Sequence, residues 1–155
     1  MKKQKGFSLI ELLIVVAIIL IIAAIAIPNL MKSKMAANES SAVGSVRTIN
    51  TGEVTYAASC PDVGFSASLS ELNTGAACAG GTGIIDNVLA TTNKSGYHFA
   101  YAAVAAGGLN TQYTVGATPL ATGTTGQRGF FSDQTGVIRY TLDGSVPSNA
   151  ASALQ

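Results

Sequence analysis

Few side chains in this chain have the type and placement to do chemistry, and the first to stand out is a carboxylate. Glu11 sits four residues inside an apolar segment that begins at Phe7, and Leu12 to Ile27 is apolar without interruption. A charge at the centre of a membrane helix costs about 2.5–3.5 kcal/mol on insertion scales and less near the interface, so such a residue usually has a partner and a task. A tolerated carboxylate that snorkels to water is the plainer alternative. The other candidates are sparse. Cys60 and Cys78 are the two cysteines and His98 is the single histidine. Two thiols without a second ligand cluster do not make a four-cysteine zinc site. Asp62, Glu71, Asp86, Asp133 and Asp143 are scattered, with no paired spacing that nominates an acid and a base. Asp133 and Asp143 are too few and too far apart to nominate a calcium loop. No Gly-x-Ser-x-Gly, phosphate-binding loop or His-Glu-x-x-His occurs. These residues favour a protein that is not an enzyme, with no cofactor and no metal.

The elements that must position Glu11 follow from the apolar run. Phe7 to Ile27, as a helix, is about 31 Å long, roughly the thickness of a bilayer core. Lys2, Lys3 and Lys5 precede it and should stay cytoplasmic by the positive-inside rule, leaving the C-terminal part on the other side. A secretory signal has a similar outline, but its apolar stretch is about 7–15 residues and ends at a small-residue cleavage site. Pro28-Asn29-Leu30-Met31-Lys32 fits that poorly. The remainder is of different composition: 16 of the 17 glycines lie from Gly44 onward, and only 11% of the chain is charged. A net charge of +1 gives no basic field for nucleic acid, and disorder driven by charge is excluded.

Lys5-Gly6-Phe7-Ser8-Leu9-Ile10-Glu11-Leu12-Leu13-Ile14-Val15-Val16-Ala17-Ile18-Ile19 resembles the prepilin signature of type IV pilins and type II secretion pseudopilins, and Pro28 falls where that family places a helix-kinking proline. The resemblance implies that a prepilin peptidase cuts between Gly6 and Phe7 and then N-methylates Phe7. With three lysines removed, six basic residues remain against eight acidic, a formal side-chain charge of −2. The new α-amino group, with a reference pKa of about 7.7–8.0, and Glu11 would each be costly alone in apolar surroundings and much less so as a pair. The family resemblance implies that Glu11 of one subunit meets the amine of its neighbour and sets the axial register of assembly.

Beyond Pro28, apolar residues recur at Met31, Met35, Ala42, Val46, Ile49 and Tyr56, spaced as one helical face. Lys32, Lys34, Asn38, Glu39, Arg47 and Glu53 are assigned to the other. One long helix from about Phe7 to Ala57 is expected, kinked at Pro28 because proline lacks the N–H donor and clashes with the preceding turn. Past Ser59, alternation predicts strands over 97–104, 111–117, 126–131 and 137–142, with Tyr97, Phe99 and Tyr101 on one face and His98 on the other. Asp133-Gln134-Thr135-Gly136 reads as a hairpin connection with its glycine left-handed, and Gly107-Gly108-Leu109-Asn110 as the link between the first two strands. Leu69-Ser70-Glu71-Leu72 is a short amphipathic piece. In a disulfide-permissive compartment Cys60 and Cys78 either bridge or remain buried thiols; a bridge would contribute about 3 kcal/mol on the chain-entropy model. In many pilins the disulfide lies nearer the C-terminus, so the roles of that loop do not transfer.

The expected architecture is α+β: a leader at residues 1–6, a transmembrane or filament-core helix at 7–27, an amphipathic extension at 28–58, and a globular domain at 59–155 with an antiparallel sheet of about four strands. The tail from Ser145 to Gln155 is expected to be loosely held. The resemblance implies a structural subunit of a type IV pilus, held in the bacterial inner membrane with its C-terminal domain in the periplasm and then polymerised into an extracellular helical filament. Its implied partners are further copies of itself, prepilin peptidase, an assembly platform, minor pilins and inner-membrane lipid, with no specific nucleic acid. The alternative is a pseudopilin forming a periplasmic pseudopilus for type II secretion; the absence of Trp leans away from it.

Overall fold

The computed structural model describes residues 7–75 and 83–154, and the chain divides into two compact units, Met1–Lys34 and Met35–Gln155. Helix α1 (Leu9–Ser59) contributes to both. Its assignment continues through Pro28, where the missing N–H leaves the carbonyl one turn earlier without its usual donor. In the first unit, the large apolar side chains of α1 from Leu9 to Leu30 are exposed within the single chain. This helix is long and apolar enough to cross a membrane.

The second unit is a helix covered by a sheet. Residues 35–59 of α1 are followed by two short helices, α2 (Leu69–Thr74) and α3 (Asn87–Ala90). Six strands then run β1 (Asn93–Lys94), β2 (Tyr97–Ala106), β3 (Leu109–Pro119), β4 (Gly129–Asp133), β5 (Arg139–Thr141) and β6 (Ser152–Ala153). Each pairs antiparallel with the next, so the sheet is a meander in sequence order. The core joins Ala42, Val46, Ile49 and Tyr56 of α1 to Tyr97, Phe99, Tyr113, Val115, Ala117 and Phe130 of the sheet. Tyr97 and Phe99 are buried, Tyr101 half-buried and His98 exposed, as the alternation predicts. The fold is therefore the expected α+β arrangement of a long N-terminal apolar helix and an antiparallel sheet.

Three local expectations change. Among the described residues the sheet has six strands rather than four, because two-residue strands at each edge carry no alternation to detect. The first of them, β1, is set by Ser95-Gly96, both with positive φ (51° and 75°), the geometry of a two-residue hairpin turn that pairs Lys94 with Tyr97. The strand expected at 126–131 lies at 129–133 instead. The tail is held, not loose: β6 pairs with β5, and the Leu154 N–H donates to the Ile138 carbonyl at 2.7 Å. The turn at Asp133–Gly136 forms as expected, with Gly136 at φ 74° and the Asp133 carboxylate accepting from the Thr135 N–H at 2.9 Å. Gly107 and Gly108, at φ 63° and 87°, make the two-residue link between β2 and β3.

Gly129 is fixed by close approach rather than by φ. A Cβ there would collide with the Ser145 carbonyl oxygen, a backbone atom that cannot swing aside. Gly129→Ala is expected to lower stability by about 1–3 kcal/mol, the range for overpacking. Thermal unfolding of the full-length chain in detergent would show this as a drop in midpoint; an unchanged midpoint would mean the backbone yields freely.

Candidate assembly site

Helix α1 begins with its own cap. Ser8 precedes the first helical residue, Leu9, and Glu11 is the third. The Ser8 N–H donates to the Glu11 carboxylate at 2.9 Å, and the Leu12 N–H donates to the Ser8 carbonyl at 3.2 Å. The return bond from a third-position Glu to the cap N–H is one half of a capping box, and a carboxylate here also answers the positive end of the helix dipole. The same residue order recurs at α2. Ser68-Leu69-Ser70-Glu71-Leu72 matches Ser8-Leu9-Ile10-Glu11-Leu12 at every position but the third, with the Ser68 hydroxyl accepting from the Glu71 N–H at 3.2 Å. Phe7 is 80% exposed at the head of this segment. Gly6 and Cys78 lie outside the described residues; Cys60 is buried, and no cysteine is free among those described.

On the second half of α1, the structure overturns part of the expected polar face. Glu39 (8% exposed) and Glu53 (0%) are buried, together with Asn50, while Arg47 is exposed. The signal was present: 39, 42, 46, 49, 53 and 56 follow one another at steps of three and four, so both acids lie on the stripe of Ala42, Val46, Ile49 and Tyr56. Their polar type had masked their position. Each makes a specific bond. Glu39 accepts from the backbone N–H groups of Gln127 (2.9 Å) and Arg128 (3.1 Å) and forms an ion pair with the Arg128 guanidinium at 2.7 Å. Asn50 donates to the Ser132 hydroxyl at 2.8 Å and accepts from the Tyr113 hydroxyl at 3.1 Å. Glu53 accepts from the N–H and hydroxyl of Ser66 at 2.9 and 2.6 Å, and the Tyr101 hydroxyl donates to the Ser66 carbonyl at 2.9 Å. Nearby, the Tyr56 hydroxyl donates to Glu71.

The two glutamates respond oppositely to this burial. Desolvation raises the Glu53 carboxyl above the usual carboxylate value, with the Glu71 charge adding to it, and the Ser66 bonds offset this only in part. For Glu39, desolvation also pushes upward, but the bonds from Gln127 and Arg128 outweigh it and the carboxyl is held below its usual value.

Nothing in the described residues assembles a reaction centre. His98 Nδ1 lies 3.0 Å from Asn93 Oδ1 on the exposed face. Asp86 caps α3 through the Leu89 N–H and pairs with Lys94, and Asp143 holds a turn through Ser145. No group of three or more His, Cys, Asp or Glu side chains gathers among the described residues.

Comparison with known proteins places the capped, exposed apolar helix in context. The chain matches the family model described as the prokaryotic N-terminal methylation motif over residues 1–27. It is 59% identical over 39 residues to the Type IV wide pilus major component PilA4 of Thermus thermophilus, covering 25% of this chain and 30% of that protein. It is 44% identical over 54 residues to the Type IV major pilin protein PilA of Myxococcus xanthus, covering 35% of this chain and 24% of that protein. It is 35% identical over 102 residues to Fimbrial protein Q of Moraxella bovis, covering 64% of each. The chain thus spans between 24% and 64% of the length of these curated relatives. No solved structure is matched. The class defined by the fold and the motif is that of a membrane-length apolar helix bearing an N-terminal methylation motif and continuing into a small α+β domain. The chain carries the prokaryotic N-terminal methylation motif at the head of a long apolar helix followed by an antiparallel sheet, and over part of its length it is similar to type IV pilin and fimbrial proteins.

The opposed shifts give opposed pH dependences. The Glu53 contribution is fully present below about pH 4.5 and is lost as pH rises through its raised folded value. The Glu39 contribution is present above about pH 4.5 and is lost as pH falls through its lowered folded value. Glu53→Gln should therefore gain stability relative to wild type as pH is taken from below 4.5 to 7. Glu39→Gln should lose about 1–2 kcal/mol at pH 7, discounted for the partly exposed Arg128, and match wild type at low pH. Unfolding midpoints of the full-length chain across pH 3–8 would check both. Parallel curves for the two variants would refute the assignment.

Proposed function

We propose that this protein is a structural subunit of a type IV pilus. It is inserted in the bacterial inner membrane through α1, cut between Gly6 and Phe7 by a prepilin peptidase, N-methylated on Phe7, and polymerised into a helical filament. The observation that carries this reading is the first unit of the chain. Within this unit a membrane-length stretch of α1 leaves its large apolar side chains exposed, and its start coincides with the matched methylation motif. Such a surface needs lipid before assembly and the helices of other copies after it. Exchange of one for the other is driven by packing and polar contacts, because lipid tails are as apolar as the side chains. The pilus and fimbrial names of the relatives favour a pilus over a secretion pseudopilus.

In this reading Glu11 has two successive partners. Within one chain it holds the Ser8 N–H. In the filament its charge meets the new α-amino group of a neighbouring Phe7 and fixes the axial step. Pro28 supplies the local weakness in the helix, and a Cys60–Cys78 bridge closes the loop that carries Ser66 and α2.

Two substitutions separate these roles. Gly6→Val should leave an uncut precursor, read by intact mass, and no filaments. Glu11→Gln keeps a residue able to complete the capping box but removes the charge. It should be cut and methylated normally, yet yield at least about tenfold less filament, the equivalent of about 1.4 kcal/mol per contact. Wild-type filament yield from Glu11→Gln would refute the register role, and filaments from uncut Gly6→Val would refute the processing step.

A further inference from the structure

The sheet has one long edge that nothing among the described residues covers. Strand β2 is ten residues long, but β1 pairs only with Tyr97 and His98. One further bond follows, from the Phe99 N–H to the Thr92 carbonyl at 2.6 Å. That bond fixes the direction of the rest. In a strand, successive backbone groups alternate between the two sides, so Tyr101, Ala103 and Ala105 also turn their N–H and C=O groups away from β3. No hydrogen bond among the described residues reaches those groups. The register shift of this hairpin falls on β3, where Val104 faces Gln112 and Ala105 faces Asn110. The extra residue, Thr111, belongs to β3, and β2 itself stays regular along its free side. Ala102, Val104, Ala105 and Ala106 are exposed.

Proteins normally blunt such an edge with lysine, proline, an inward charge or a bulge on the edge strand. None of these is present on β2, and residues 95–127 contain no Lys, Arg, Asp or Glu at all. The opposite edge is different: β6 has only two residues, too few to template a partner.

We propose that the β2 edge from Tyr101 to Ala105 pairs, backbone to backbone and antiparallel, with the same edge of a second copy in a neighbouring filament. The inference rests on the filament reading above. Its occupant is argued from chemistry. Centred on Ala103, the edge is self-complementary: Tyr101 faces Ala105 and Ala102 faces Val104, small or inward-turned side chains that meet without a clash. With no formal charge on either side, two copies do not repel, whereas a charged foreign peptide would find no counter-charge. A single pairing of this length is weak. Repeated at every subunit along two fibres, it gains avidity without any new contact.

The test uses filaments sheared from cells producing the full-length protein and viewed by electron microscopy. Ala105→Lys places a charge on the free edge. Ala103→Pro removes an N–H that points away from β3, so the β2–β3 ladder is kept, and proline is accepted at sheet edges. Leu142→Lys, at another exposed apolar position, controls for added charge. Wild type and Leu142→Lys should show laterally associated fibres; the two edge variants should give similar fibre yield with at least about tenfold fewer bundles, as expected when a multivalent contact is lost. Bundling of the edge variants at the wild-type level, solitary wild-type fibres, or an equal effect of Leu142→Lys would each overturn the proposal. An absence of any wild-type fibre would instead strike the filament reading, and the inference would fall with it.

Discussion

A buried polar group must find its hydrogen bonds inside the protein, and three such groups on one face of α1 decide how the second unit is put together. Glu39, Asn50 and Glu53 lie on the same stripe as Ala42, Val46, Ile49 and Tyr56. Apolar contacts alone are non-directional and would tolerate a helix slid or rotated by a residue. The polar groups do not, since an orphaned buried carboxylate or amide costs about 1–3 kcal/mol or more. Each therefore selects one partner: Glu39 the loop at Gln127 and Arg128, Asn50 the hydroxyls of Tyr113 and Ser132, Glu53 the loop at Ser66. No side-chain nitrogen or oxygen is left buried and unpaired among the described residues.

The first unit has the opposite character. Among its described residues it contains no buried polar anchor, and its large apolar side chains are exposed. Its directional feature among the described residues is the cap, where Glu11 accepts from the Ser8 N–H. One helix thus carries two modes of recognition. In one, specificity comes from buried polar groups read by the chain's own sheet. In the other, the uninterrupted apolar run from Leu12 to Ile27 offers no directional partner, and the one carboxylate beside it caps the helix.

Much of this was legible in the sequence because its signals are periodic. The uninterrupted apolar run, the alternation at Tyr97, Phe99 and Tyr101, and the Asp133–Gly136 turn each state their own geometry. What was missed had no period to read or contradicted its own type. Strands β1 and β6 are too short to alternate, and β1 was announced only by Ser95-Gly96. Glu39 and Glu53 obeyed the helical spacing but were assigned to solvent by their charge; their partners, at Arg128 and Ser66, become visible only when the chain is folded. The capping role of Glu11 was readable from Ser8-x-x-Glu11, but the apolar residues on either side of the carboxylate obscure that signal.

The meander has a kinetic consequence. Every strand pairs with its neighbour in sequence, so the sheet is assembled from local contacts, the kind that form quickly. The distant closures are those between α1 and the rest, and they are unequal. Glu53 reaches Ser66 across 13 positions, Asn50 reaches Ser132 across 82, and Glu39 reaches Arg128 across 89. Closing the longest of these loops costs about 1.7 kcal/mol more entropy than closing the shortest. Loop entropy alone thus ranks the docking order, from the C-terminal turns of α1 back toward Glu39.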